Sequence, residues 1–156
     1  MCSTYDIGTN KCLKCISESE SYLVNGECKP YSFLVIYHND NQNEKIKLIN
    51  KIYLPYIEGM YMNNTNISIM SSYTFSSIGN HTIYFFINIS TLDSINEMFW
   101  STGKLVSIYF TPKFNTKNIK YMDYLFDNCL YLTSIDLSNL NTENVISMKN
   151  LFNKSF

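Results

Sequence analysis

Arginine is absent from the sequence, and so is alanine. Without arginine the chain lacks the fork-shaped cation that grips phosphates and guanine edges at two points at once. A net charge of −1 supplies no basic surface instead, so neither nucleic acid nor an anionic membrane is expected as the main partner. His38 and His81 are the only histidines. Each falls at a turn or strand start with no converging partners, which predicts a surface role rather than a metal-binding or catalytic one. Five glycines and one tryptophan are a thin stock for a phosphate-cradling loop or an aromatic site. The apolar runs 33–37 and 83–87 are far too short to span a bilayer. Met1-Cys2-Ser3 has neither the charged start nor the apolar stretch of a signal peptide, so a secreted protein would take its leader from outside this sequence.

What is present describes a folded chain. Of its 156 residues 46% are hydrophobic and 16% charged, the balance of one globular domain or two small ones. Four of the five cysteines, Cys2, Cys12, Cys15 and Cys28, crowd the first 28 residues. A segment that short cannot bury a core and needs staples. Disulfides are the expected ones. Zinc would need two knuckle-like pairs, and only residues 12–15 have that form. A redox Cys-x-x-Cys would need a βαβ setting. Four cysteines allow three pairings. The Asn25-Gly26 turn would fold Cys28 back towards Cys15 and so favours Cys2–Cys12 with Cys15–Cys28. Residues 12–28 resemble the cysteine-rich repeats of growth-factor-receptor and furin-like ectodomains.

Residues 32 to about 90 read as short strands between polar turns. The candidates are 33–37, 45–49, 57–61, 73–75 and 81–89. In the last, Ile83, Phe85, Ile87 and Ile89 share one face, while Tyr84 and Phe86 make the other apolar too, as in a strand covered on both sides. Asn63, Asn66, Asn80, Asn88 and Asn153 head N-x-S/T sequons, candidates for N-glycosylation. Chance alone gives about four in a chain so rich in Asn, Ser and Thr, so the count permits secretion without establishing it.

A repeat begins after residue 93. Phe114-Asn115-Thr116-Lys117-Asn118-Ile119 recurs 26 residues later as Leu140-Asn141-Thr142-Glu143-Asn144-Val145, and Met122 recurs as Met148. Met98-Phe99 aligns with Leu125-Phe126 one residue further out, at 27. Leu132, Ile135 and Leu137 have strand spacing, with Ser134 and Asp136 facing out. Ile119, Met122, Leu125, Phe126 and Cys129 are spaced as one helical stripe, which Thr116 or Asn118 could cap, as Thr142 or Asn144 could the next. Cys129 aligns with Thr102 and Ser155, so it is expected to be a small core residue and not a nucleophile. The third unit opens at Asn144, and its strand would fall beyond residue 156, so further repeats or a cap are expected.

Residues 124–145, reading Tyr-Leu-Phe-Asp-Asn-Cys-Leu-Tyr-Leu-Thr-Ser-Ile-Asp-Leu-Ser-Asn-Leu-Asn-Thr-Glu-Asn-Val, closely resemble the BspA-like leucine-rich repeat of bacterial and protist surface proteins. Leu125 stands where that pattern has Met, and Leu140 where it has Phe. Residues 73–95 and Ile57-Glu58-Gly59 resemble the β lead-in to such arrays. The resemblance implies surface or secreted proteins of adhesion.

The expected fold class is α+β: a disulfide-stapled module (1–31), a β-rich lead-in (32–93) and a short leucine-rich-repeat solenoid (94–156) with a strand and a short helix per repeat. The expected function is non-enzymatic, without cofactor or metal. It is adhesion or binding of a protein or glycan on a host, matrix or neighbouring cell, at the cell surface or outside it. The ligand-facing row would be Ser107, Tyr109 and Thr111, then Ser134, Asp136 and Ser138. The alternative is a coat or spacer segment with binding carried elsewhere. An enzyme would need a nucleophile–base pair or metal cluster that no motif spacing provides.

Overall fold

A six-stranded sheet organises the chain in the computed structural model, which describes residues 2–6, 11–15 and 21–155. The strands in chain order are β1 (Cys2–Asp6), β2 (Lys11–Cys15), β3 (Ser21–Val24), β4 (Glu27–Pro30), β5 (Phe33–Asn39), β6 (Lys45–Lys47), β7 (Ile57–Met62), β8 (Thr65–Ile67), β9 (Ser72–Thr74), β10 (Gly79–Ile87), β11 (Leu105–Phe110) and β12 (Ser134–Asp136). The large sheet runs β12-β11-β5-β10-β7-β8. Only β11 and β12 pair in parallel, as successive repeats must, and β11 lies antiparallel against β5. The lead-in and the repeats therefore share one sheet and one core.

Period-two patterning builds its centre. Phe33, Val35 and Tyr37 of β5 are fully buried, as are Ile83 and Phe85 of β10. Phe33 meets the rings of Phe85, Phe99, Phe110 and Phe114 at 4.9–5.6 Å, so one side chain joins lead-in and repeats. Each such buried side chain contributes about 1.5–3 kcal/mol. The Tyr37 hydroxyl lies in the core and donates to the Leu48 carbonyl at 2.7 Å.

The opposite face of the sheet is apolar as well, and the cysteine module covers it. Hairpin β3–β4 turns at Asn25-Gly26, both with positive φ (52° and 82°), the conformation that this dipeptide favours. Tyr22 and Val24 of β3, with Tyr31, pack on Leu34, Tyr61, Tyr84, Phe86 and Tyr109. The Tyr22 and Tyr84 rings lie 4.2 Å apart, and the Asn64 amide donates to the Tyr22 hydroxyl. Burial raises the Tyr22 pKa. Disulfides Cys2–Cys12 and Cys15–Cys28 staple the module.

The α+β expectation is overturned. No α-helix forms among the described residues, and the only helical element there is the 3-10 turn Lys51–Tyr56. The predicted stripe is buried, with Met98 and Phe99, then Met122, Leu125, Phe126 and Cys129, yet its backbone winds as a flat coil. Glu97, Tyr124 and Asn150 take left-handed φ of 58°, 57° and 52°, and Ser101, Asn128 and Lys154 take 54°, 60° and 54°. One such residue every four breaks a helix before it can propagate. Amides that a helix would satisfy internally reach the next coil instead. Glu97 N–H donates to Asp123 at 2.9 Å and Phe99 to Leu125 at 3.0 Å, followed by Tyr124 to Lys149 at 2.8 Å and Phe126 to Leu151 at 3.0 Å. The expected caps also act between coils. Thr116 Oγ1 donates to the Asn141 carbonyl at 2.9 Å, and Asn144 Nδ2 to the Lys117 carbonyl at 2.8 Å.

Over residues 95–101 and 122–128 this ladder has one direction, the earlier coil donating to the later, while the loops that enter the coils donate the other way. The carbonyls of the first coil are met from the lead-in instead. Asn50 N–H donates to Met98 at 2.8 Å, the Tyr53 hydroxyl to Asn96 at 2.6 Å, and the Lys47 ammonium to Trp100. The 3-10 turn and its flank thus cap the start of the array.

Candidate binding surface

The strand row expected to face a ligand is divided by the fold. Thr111 is buried, and its hydroxyl donates to the carbonyls of Tyr31 (2.5 Å) and Ser32 (3.1 Å). Ser107 and Tyr109 are half-buried on β11, between β12 and β5, and Tyr109 packs against the module cluster. Ser134, Asp136 and Ser138 remain exposed. Asp136 accepts from the Ser138 amide at 2.9 Å, and hydrogen bonds from Ser138 lower its pKa.

The histidines serve local contacts. His38 lies 2.7 Å from Asn80 Oδ1 and 3.2 Å from Asp40. Asp40 also accepts from Lys104 and, at 2.9 Å, from the Tyr131 hydroxyl, joining the end of β5 to the second repeat. Hydrogen bonds from Lys104 first and Tyr131 second hold the Asp40 pKa below the usual carboxylate range. His81 stacks on Phe75 at 4.2 Å. Cys129 is buried, its thiol donating to the Phe99 carbonyl at 3.1 Å, and burial pushes its pKa up to about 12. A thiol so placed should react with a disulfide reagent only after denaturation. Full labelling of native protein within seconds would contradict its placement.

All five sequon asparagines are exposed. Asn88 Oδ1 accepts from the Ser90 amide at 3.1 Å, whereas Asn153 Nδ2 is committed to Asp127 at 2.8 Å. The sulfur atoms of Cys2, Cys12 and Cys28 lie within 4.8 Å of one another, the one group of metal-capable side chains among the described residues. In this structure those sulfurs belong to the two disulfides.

One concavity was not legible in the strand pattern. It is an open furrow of about 700 Å³ along the loops that enter successive coils. Asp93, Lys117, Asn118, Lys120, Tyr121 and Ile146 are among its lining residues. Its floor is fixed by backbone bonds between coils: Lys120 N–H to Asp93 O at 2.7 Å, then Ile146 N–H to Lys120 O at 2.8 Å. Tyr121 and Ile146 expose apolar surface there, 36% and 69% of their areas. A second depression of about 210 Å³ shares Ser90 with it and continues past Asn88 and Lys113.

A β-sheet whose core runs on into stacked, hydrogen-bonded coils, with a furrow along the coil edges, defines a repeat protein that offers a side surface rather than a buried pocket. Residues 57–156 match the family described as "Mycoplasma protein of unknown function, DUF285", and the chain belongs to that family. Membership supports a BspA-like surface protein. The match covers β7 to the last coil, and the cysteine module lies outside it. No curated protein and no solved structure matches the chain. No helix among the described residues is long and apolar enough to cross a membrane.

Proposed function

We propose that the chain is a non-enzymatic protein of the cell surface or the extracellular space that mediates adhesion by binding a ligand along the edge of its stacked coils. The observation that carries this reading is the furrow, where Tyr121 and Ile146 stay exposed on a floor locked by bonds between coils. A rigid, partly apolar surface binds with little ordering cost. The engagement of both histidines in local contacts and the raised pKa of Cys129 support the non-enzymatic part. The test is adhesion of immobilised protein to cells and extracellular matrix. Tyr121→Ala with Ile146→Ser should abolish it, and Ser134→Ala with Asp136→Ala should leave it intact. The reverse pattern would return the site to the strand row.

The second reading, a coat or spacer segment, draws on the unbroken core that runs from β5 to the last coil and makes a stiff unit. It gains if this chain adheres to nothing while a longer array does.

A further inference from the structure

We propose that the furrow binds an acidic saccharide, with Lys117 and Lys120 meeting its anionic group and Tyr121 supporting a sugar ring. This rests on the adhesion reading above and names its ligand class. Lys117 and Lys120 both line the furrow, are exposed, and have no ion-pair partner among the described residues. Their ammonium groups are thus available to a ligand, whereas Lys104 is spent on Asp40 and Glu44. The one carboxylate in the lining, Asp93, lies beside them and supplies an acceptor for hydroxyls. Asn118 and Asn144 each use the amide nitrogen to bridge to the preceding coil, at 3.3 Å to Ser90 and 2.8 Å to Lys117, which leaves their side-chain oxygens as fixed acceptors. An exposed tyrosine offers an apolar ring with a polar tip, matching the two-sided character of a pyranose. The form fits a chain better than a compact molecule, because the furrow is open and runs on into the neighbouring depression past Lys113.

Matched oligosaccharide pairs test this by surface plasmon resonance on the intact, oxidised protein. One pair is a sialylated glycan and its desialylated form, and the other a sulfated uronate oligosaccharide and its desulfated form. The two pairs separate carboxylate from sulfate as the recognised group. The acidic member of at least one pair should bind about tenfold more tightly, within the range for two exposed ion pairs, and the preference should fade at high salt. Lys117→Gln with Lys120→Gln should remove the preference, and Tyr121→Ala should weaken both members of the pair. Equal binding of acidic and neutral members, still dependent on Tyr121, would overturn the acidic specificity and leave the adhesion reading standing. Failure to bind any saccharide, with an acidic peptide such as polyglutamate bound instead, would overturn the saccharide assignment. Saccharide binding indifferent to Tyr121→Ala would remove the furrow from both.

Discussion

Phe126→Ala is expected to destabilise the fold by about 3–5 kcal/mol, a large share of the roughly 5–15 kcal/mol available to a domain of this size. Phe126 is fully buried in the middle coil. Its ring lies 5.5 Å from Phe99 of the coil before and 5.5 Å from Phe152 of the coil after, with interplanar angles of 0° and 6°. Truncation would open a cavity and remove both ring contacts of the stack, in the range where offset rings attract each other. Its amide and carbonyl also serve the ladder and the Ser155 hydroxyl, so neighbouring backbone has little freedom to close the gap. Ser134→Ala, exposed on β12, should cost less than about 0.5 kcal/mol. Urea titration of both variants checks this. Equal losses would mean that the assignment of inward and outward positions is wrong.

Removing Cys15–Cys28 should have the next largest effect, confined to the N-terminal module. The bridge closes a loop with a sequence separation of 13, worth about 3 kcal/mol in the chain-entropy account. The module's buried side chains on the sheet are Tyr22, Val24 and Tyr31, too few to hold it without staples. Cys15→Ser with Cys28→Ser should therefore release β3–β4 and expose Tyr84, Phe86 and Tyr61. A rise in binding of a hydrophobic dye and protease cleavage within residues 1–31 would report the release, while the repeats keep their urea midpoint. Unchanged dye binding and protease resistance would show that the packing holds the module by itself.

The strand pattern was legible because period two is unambiguous. The runs near 33–37, 57–61 and 81–89 became β5, β7 and β10, and the doubly apolar Ile83–Ile87 stretch is covered on both sides. The repeat positions were legible too, since Thr102, Cys129 and Ser155 occupy one buried column. The backbone of that stripe was not. A left-handed residue every fourth position buries residues at a spacing of 3, 1 and 3, and over two turns this differs from a helix of 3.6 residues per turn by less than one residue. The absence of alanine, read with twenty asparagines, is the clue that weighs against helices. The covering of the outward face of β11 by a module far away in sequence had no local signal, and so the strand row was expected to be open where Tyr109 is not.

The repeats are coils joined to one another by backbone bonds and not helices. Scalar couplings across hydrogen bonds, measured by NMR between amide nitrogen and carbonyl carbon, test it directly. The structure predicts couplings from Glu97 to Asp123, Phe99 to Leu125, Tyr124 to Lys149 and Phe126 to Leu151. Couplings running four residues back within a unit instead, as from Phe126 to Met122, would contradict it.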